Sequence, residues 1–300
     1  MRTDLELRKV LVYAANGVQG GAIARALSEE GFQVRACVRD RAKATALATT
    51  MEIAEADLDD RVALTAANRG VDAVVLTVPL SWDRATLLRW TRHAAEAARD
   101  AGVRLCVLNL SSRLPDPPSE IPAYELRREC ESVLRSFGPA SICLRPALFM
   151  ENLLAPWITA AIQRDRALPY PLAARMRVSW LSVADLGAYV AAALRRPDLA
   201  GMAFDVGGPE ALDGLGLAEA VSPDPDRPLM YCVLSPEQVE QQLAPHFGLE
   251  VARGIARNYA YLARRSDSAF LAGTSDVLSR ELRRPARTVR EWAREHGLRR

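Results

Sequence analysis

Residues 9–40 constrain the fold more than any other stretch, because they have the pattern of one strand–turn–helix–strand unit. An apolar run at 10–14 is followed by a glycine turn, N-G-V-Q-G-G, and then by a helical pattern that ends at Gly31. Alternating residues at 34–38 predict a second strand, parallel to the first. A unit of this kind places the N-terminus of a helix at the carboxyl end of a buried strand.

The glycine turn predicts a site for a dinucleotide. Free backbone N–H groups and the helix dipole attract an anion, and residues without side chains let a pyrophosphate approach closely. Gly17 and Gly20 provide such positions, but Ala14 stands where a further glycine is expected. We expect Ala14 to serve there if its φ stays negative. The alternative is a strand–helix turn that binds no ligand.

Arg39 lies at the end of the second predicted strand. An acidic residue at this position would bind a ribose hydroxyl, whereas an arginine would bind a 2′-phosphate. Arg41 and Lys43 add positive charge nearby, and only Asp40 opposes them. These residues predict a preference for NADPH over NADH, and a solvated basic turn is the alternative.

Composition limits the class of protein. The chain has 300 residues, of which 49% are hydrophobic, so it can bury a sizeable core; its net charge of +2 does not indicate nucleic acid as a partner. The five cysteines form no C-x-x-C pair, which favours buried thiols over disulfides or a metal site. A charged start and the lack of an 18-residue apolar run predict a cytoplasmic protein without a membrane segment.

Strands and helices alternate to about residue 212. Predicted strands at 51–60, 71–79, 103–112 and 201–212, and one within 139–154 that runs into a loop, indicate an α/β fold with a Rossmann-type, doubly wound parallel sheet. Prolines between 155 and 177 suggest an excursion into a second lobe, and the chain after about 213 is predicted to be helical. Five arginines at 280–290 alternate with acids, which indicates a solvated face.

Two domains follow from this pattern. We expect an NADP-binding Rossmann domain over 1–152, to which 178–212 return, and a smaller, mainly helical substrate-binding lobe from 153–177 and 213–300. Ligands of such sheets bind beyond the carboxyl ends of the strands. The residues expected at that edge are Ala14–Gly20, Arg39, Asp57, Leu58, Thr77, Val78, Pro79, Asn109, Ser111 and Ser112.

The opening segment resembles that of the NmrA-like family of atypical short-chain dehydrogenases/reductases, which includes quinone-type and triphenylmethane-type reductases and NADP-sensing regulators. L-R-P-A-L-F-M-E-N-L-L, V-S-W-L-S-V-A-D-L-G and T-V-R-E-W-A-R-E-H-G extend the resemblance over nearly the whole chain. It implies that Arg39 binds the 2′-phosphate, that Asp57 and Leu58 border the adenine, and that residues 77–79 lie near the nicotinamide ribose. The residues implied to hold the pyrophosphate are Asn16, Gly17, Val18, Gln19 and Gly20.

A short-chain dehydrogenase normally uses a Tyr-x-x-x-Lys pair with an upstream serine. Ser111 and Tyr124 have the spacing of the serine and the tyrosine, and the residue four beyond Tyr124 is Arg128. Alignment with the NmrA-like pattern instead places Arg127 at the lysine position. The lysine is missing in both registers. The chain contains two lysines, Lys9 and Lys43.

The missing lysine leaves two hypotheses for proton transfer. Tyr124 can act as a general acid, with an arginine that keeps the positive charge, or it can be a structural tyrosine. A quinone, enone or iminium acceptor does not require that acid, since proximity to the nicotinamide suffices and water supplies the proton. Phe149, Met150 and Asn152 would line the substrate site, although the first two can equally be core.

The sequence therefore predicts an NADPH-dependent reductase of a small conjugated or aromatic carbonyl, quinone or imine-type compound, with bacterial secondary metabolism as its expected setting. The alternative is an NADP(H)-binding redox sensor that turns nothing over, which the missing lysine favours. A third alternative, an isomerase or dehydratase with tightly held NAD, is opposed by Arg39. A small molecule is the expected partner, a homodimer is compatible with the sequence, and neither nucleic acid nor metal is expected.

Overall fold

A sheet of seven parallel strands forms the centre of the computed structural model, which describes residues 7–224, 226–265 and 267–299. The strands of this sheet are β1 (Lys9–Val12), β2 (Gln33–Val38), β3 (Glu52–Glu55), β4 (Ala73–Thr77), β5 (Leu105–Asn109), β6 (Ser141–Pro146) and β8 (Ala203–Val206). Their order is β3-β2-β1-β4-β5-β6-β8, so the direction of winding reverses between β1 and β4. The predicted Rossmann-type fold is confirmed. The first six residues of the predicted NADP-binding domain lie outside the described residues.

Helices cover both faces of the sheet. They are α1 (Val18–Glu29), α2 (Thr45–Ala48), α3 (Arg61–Asn68), α4 (Arg84–Asp100), α5 (Pro122–Phe137), α6 (Pro156–Asp165), α7 (Val183–Leu194), α8 (Gly214–Val221), α9 (Pro236–Phe247), α10 (Leu249–Arg264), α11 (Asp276–Ser279) and α12 (Val289–Glu295). Successive residues of a strand point to opposite faces. Val10 and Val12 therefore pack in the core with α1 and α7, while Leu11 packs with α3, α4 and α5.

Local sequence signals place the ends of several helices. The Ser182 hydroxyl caps α7 by accepting the N–H of Asp185 at 3.0 Å. Thr288 and Glu291 form the expected capping box at the start of α12. Both caps satisfy N–H groups that have no partner inside the helix, so these two predictions are confirmed.

The expectation that the chain is helical after 213 is wrong at one point. Two short strands, β7 (Ala167–Tyr170) and β9 (Met230–Val233), pair in parallel as a separate sheet. Each has only four residues, β7 contains a proline, and the partners lie about 60 residues apart in the chain. Such a pairing depends on tertiary contacts and leaves little pattern in the sequence.

Arg287 contradicts the expectation of a solvated arginine face near the end of the chain. Its backbone N–H and its Nη1 donate to the carboxylate of Asp185, at 2.9 and 2.7 Å. Asp185 is buried in the first turn of α7, so this arginine ties the C-terminal segment to the sheet layer.

Side-chain burial agrees with the expected role of the cysteines. Cys37, Cys106, Cys130 and Cys143 are buried and free, and Cys232 is half-buried and free.

Of the helices within the described ranges, none combines the length and the hydropathy that a membrane crossing needs.

Helices α1 and α7 approach closely because Gly187 has no side chain. A Cβ at this position would lie closer than 3.0 Å to the Cβ of Ala26 in α1. Substitution by alanine improves helix propensity but adds a methyl group to a contact that has no room for it.

Gly187→Ala should lower the free energy of unfolding by about 1–3 kcal/mol, because overpacking outweighs the gain in helix propensity. Gly216→Ala is the control, since its Cβ would meet its nearest neighbours at the ordinary distance of 3.4 Å. Urea denaturation should show a control that is as stable as the parent or more stable. Ala26→Gly should lessen the penalty of Gly187→Ala, and additive losses would contradict the proposed contact.

Candidate active site

Ala14 turns the chain between β1 and α1. Its φ is +52°, so the expectation of a negative φ is wrong. The left-handed conformation lets the Ala14 carbonyl turn back and accept the N–H of Gly17 at 2.9 Å. A side chain in this conformation costs about 1 kcal/mol, which the surrounding packing must offset.

The first turn of α1 lies directly against the Ala14 carbonyl. A Cβ at Gly20 would come closer than 3.0 Å to that carbonyl group, so only glycine fits. The N-terminus of α1 has no side-chain cap, and the N–H groups of Val18, Gln19 and Gly20 have no acceptor within the described ranges. Three free donors at a helix N-terminus fit the pyrophosphate of a dinucleotide.

Arg39 follows β2 at the same edge of the sheet. Its side chain is exposed and forms no hydrogen bond or ion pair with the described part of the chain. The neighbouring charges are engaged: Lys43 pairs with Asp40 at 3.5 Å, and Arg41 donates to the Ile53 carbonyl at 2.7 Å. Arg39 is therefore free to contact a phosphate.

A polar network joins three elements across the point where the winding reverses. The buried Asn109 amide donates to Gln19 Oε1 at 2.7 Å and to Thr77 Oγ1 at 3.3 Å. Ser111 Oγ donates to the same Gln19 oxygen at 3.0 Å. The structure thus brings together four of the predicted site residues, from the ends of β4 and β5 and from α1.

Five further residues predicted to bind the cofactor also follow the carboxyl ends of strands: Asn16, Asp57, Leu58, Val78 and Pro79. Asp57 is exposed, and its carboxylate accepts the N–H of Asp59 at 2.9 Å. Val78 is buried in the core beneath the crevice, so its backbone alone can border a ligand there.

Tyr124 lies on α5 in an aromatic environment. Its ring is 5.7 Å from the ring of Tyr261 and 6.4 Å from that of Phe270, between centroids. Its hydroxyl donates to none of the described residues, and Ser111 is bonded to Gln19 instead. Burial raises the pKa of Tyr124 well above its ordinary value, and the charge of Arg127 offsets only part of that rise.

Of the two candidate arginines, Arg127 is the one that lies next to Tyr124. It is buried, and it donates from Nε to the Leu110 carbonyl at 2.9 Å and from Nη1 to the Ala123 carbonyl at 2.8 Å. Arg128 instead bonds to Glu125 at 3.0 Å and to the Pro115 carbonyl at 2.6 Å. Both arginines thus donate to backbone carbonyls, and Arg127 is the buried one.

Both lysines are engaged elsewhere. Lys9 is the first residue of β1, so it lies at the amino ends of the strands, away from the crevice, and it pairs with Glu52 at 2.8 Å. Lys43 pairs with Asp40. Neither can take the role that a lysine has in an ordinary short-chain dehydrogenase.

The predicted substrate residues differ in accessibility. Met150 has no exposed surface and Phe149 is 9% exposed, and both pack in hydrophobic cores. Asn152 is exposed, and its amide lies 3.5 Å from the Tyr170 hydroxyl, which in turn bonds to Tyr259 at 3.0 Å. Asn152 is thus the one of the three that a substrate can reach.

Two residues near the crevice gave no signal in the sequence. The buried Arg113 guanidinium, just after β5, donates to the carbonyls of Phe270, Ala272 and Gly273, and so ties the crevice to the C-terminal lobe. Trp82 packs against Gly254 of α10, and the Arg127 guanidinium lies 6.0 Å from its ring centre. Their partners lie more than 40 residues away, so spacing cannot reveal them.

The described residues contain no His, Cys, Asp or Glu cluster able to hold a metal.

The chain is similar to known proteins over nearly its whole length. The sequence model that defines the NmrA-like family matches residues 6–293. The chain is 32% identical over 290 residues to the NAD(P)H azoreductase of Xenophilus azovorans, with 96% of this chain and 98% of the relative covered. It is 30% identical over 290 residues to the (4-alkanoyl-5-oxo-2,5-dihydrofuran-3-yl)methyl phosphate reductase of Streptomyces griseus, with the same 96% and 98% coverage. The Citrobacter sp. triphenylmethane reductase, solved with NADP(H), has a TM-score of 0.80 at 20% identity, covering 95% of this chain and 99% of that one.

Arg39→Ala should weaken NADPH binding about ten- to hundredfold, because it removes a charge-assisted contact to the 2′-phosphate. NADH lacks that phosphate, so its affinity should change less than about threefold. Fluorescence titration of both cofactors measures the difference, and Lys43→Ala serves as a control for the nearby positive charge. Equal losses for NADPH and NADH would contradict the assignment.

Proposed function

We propose that this chain, which belongs to the NmrA-like family and is an NAD(P)H-dependent reductase, transfers hydride from NADPH to a small conjugated or aromatic acceptor. The acceptor is a carbonyl, quinone or imine-type compound. One observation carries this choice: the candidate acid Tyr124 is buried next to Arg127, whose guanidinium is bonded to the Leu110 and Ala123 carbonyls. We propose bacterial secondary metabolism as the setting.

The crevice residues fit an NADP(H) molecule. The free N–H groups of Val18, Gln19 and Gly20 would hold its pyrophosphate, and Arg39 would bind its 2′-phosphate. Asn109 and Thr77 would border the nicotinamide end. When bound, NADPH supplies the hydride, and this chain orients the acceptor and limits its access to water.

The proposed class of acceptor follows from the burial of Tyr124, which would make this tyrosine a poor proton donor. Hydride addition to an isolated ketone forms an alkoxide that needs a proton donor in place as the charge develops. A quinone or an enone spreads the new charge over a phenolate or an enolate, so water can protonate it afterwards, and a protonated imine becomes a neutral amine without a further proton. A site in which Tyr124 holds its proton tightly is therefore better suited to conjugated acceptors.

The names of the curated relatives point to conjugated acceptors, and one of them names a carbonyl compound. One relative is called an azoreductase, and the other reduces a compound named as an oxo-dihydrofuran with an alkanoyl group, which is a conjugated carbonyl system. Both are called reductases, and both align over nearly their whole length with this chain. The two names therefore support a conjugated acceptor for this chain.

The second candidate function is an NADP(H)-binding sensor without turnover. The Arg127 position favours it, because the arginine that replaces the lysine is bonded to the Leu110 and Ala123 carbonyls. We place it second, because the exposed Asn152 lies beside the C-terminal lobe, where an acceptor can reach it. We also retain the proposal that residues 153–177 and 213–300 form the lobe that binds the acceptor.

Tyr124→Phe should retain NADPH oxidation by 1,4-naphthoquinone within about threefold, because the tyrosine is not the proton donor. Arg39→Ala should lose about tenfold or more in kcat/KM for NADPH in the same absorbance assay. A loss of more than about a hundredfold in Tyr124→Phe would restore the tyrosine as the acid. Tight NADPH binding without oxidation by quinones, enones or imines would favour the sensor.

A further inference from the structure

A cleft of about 410 Å³ opens between the loop after β4, the start of α5 and the helix α10. Its walls are largely apolar, and they are formed by Trp82, Ile121, Pro122, Ala123 and Leu249. Apolar clefts of a few hundred Å³ with a small number of polar groups are typical of small-molecule sites. The indole of Trp82 gives the cleft an aromatic wall that an aromatic or conjugated ring can contact.

The cleft adjoins the carboxyl ends of β4 and β5. Trp82 follows Pro79 by three residues, and the Arg127 guanidinium lies 6.0 Å from its ring centre. Arg127 also holds the Leu110 carbonyl at 2.9 Å, next to Ser111 in the polar network of the crevice. A molecule in the cleft is therefore close to the end of the crevice at which a nicotinamide would lie.

One side of the cleft carries an unpaired positive charge. Arg253 and Arg257 both line it from α10, but Arg253 is paired with Glu240 at 3.2 Å. Arg257 is exposed and forms no ion pair or hydrogen bond within the described ranges. Glu250 also lines the cleft, seven residues earlier, which is about 10 Å along the helix. That separation is about one Debye length at ordinary ionic strength, so Glu250 offsets Arg257 only weakly.

A polar group lies next to that charge. Asn258 follows Arg257 and lines the same cleft, and its Oδ1 is buried without a hydrogen-bond partner among the described residues. Gly254, one turn earlier, leaves no room for a Cβ against the Trp82 indole, so α10 lies directly on one wall of the cleft. The arginine, the amide and the indole therefore all line the same cleft.

We propose that this cleft binds the acceptor and that Arg257 selects acceptors that carry an anionic group, such as a carboxylate, a sulfonate or a phosphate. The conjugated ring system lies against Trp82 and the apolar wall, and the anionic group faces Arg257. The inference rests on the proposed function, because it names the substrate class of that same site. It does not depend on which conjugated group accepts the hydride.

Binding tests the cleft independently of turnover. Calorimetric titration of the full chain in the presence of NADP⁺ should show that 2-naphthalenesulfonate binds about three- to tenfold more weakly to Arg257→Gln than to the parent; the effect is modest because Arg257 is exposed. Arg257→Lys keeps the charge and should bind within about threefold of the parent. Equal binding by the parent and Arg257→Gln, or a loss in Arg257→Lys as large as in Arg257→Gln, would overturn the proposal.

Turnover provides the second readout. The ratio of kcat/KM for 1,4-naphthoquinone-2-sulfonate to that for 1,4-naphthoquinone should fall about three- to tenfold in Arg257→Gln, chiefly through a higher KM for the sulfonate. Dividing the ratio of the variant by that of the parent removes the difference in intrinsic reactivity of the two quinones. Arg61→Gln is the matched control, because Arg61 is exposed on α3, outside the proposed acceptor-binding lobe, and pairs with Asp100. An unchanged ratio in Arg257→Gln would overturn the selection by charge.

The binding and turnover experiments distinguish a failure of the proposed reductase function from a failure of the proposed anionic substrate class. If the parent oxidises NADPH with no quinone, enone or imine, the proposed function fails, while the calorimetric comparison still decides whether Arg257 binds an anionic ring compound. If the parent turns over quinones but Arg257→Gln keeps the parental ratio and affinity, the reductase stands and the anionic substrate class fails.

Discussion

The close approach of α1 to the end of β1 is the constraint on which the rest of the site depends. Gly20 lies against the Ala14 carbonyl at a distance that admits no side chain, and Ala14 itself adopts a positive φ to allow it. This packing points the uncapped N-terminus of α1 at the reversal point of the sheet. It also places Gln19 where its side chain can accept from both Asn109 and Ser111.

That network gives the crevice its chemical character. Ser111, which in an ordinary short-chain dehydrogenase would act with the tyrosine, donates a hydrogen bond to Gln19 Oε1. The charge next to Tyr124 comes from Arg127, which is bonded to backbone carbonyls. Burial then keeps the tyrosine protonated. We propose that the same elements form the nucleotide site and leave it without an activated acid, which would favour acceptors that stabilise their own negative charge.

Features that depend on neighbouring residues are predictable from this sequence, whereas features that depend on contacts between distant parts of the chain are not. The turn at Gly17, the cap at Ser182 and the β/α alternation depend on neighbouring residues, and these features were predictable. The positive φ of Ala14 could not be foreseen, because it depends on how tightly α1 packs. The cleft under α10 was missed for the same reason, since Trp82 meets Gly254 across 172 residues of chain.

The central claim is that hydride transfer in this protein proceeds without a titrating acid from the chain. The most direct test is the single-turnover rate of NADPH oxidation by 1,4-naphthoquinone, measured by stopped flow at saturating NADPH between about pH 6 and pH 9. The rate in Tyr124→Phe should stay within about threefold of the parental rate at every pH in this range, because the tyrosine gives up no proton during the transfer. A loss of more than about a hundredfold in Tyr124→Phe would contradict the claim.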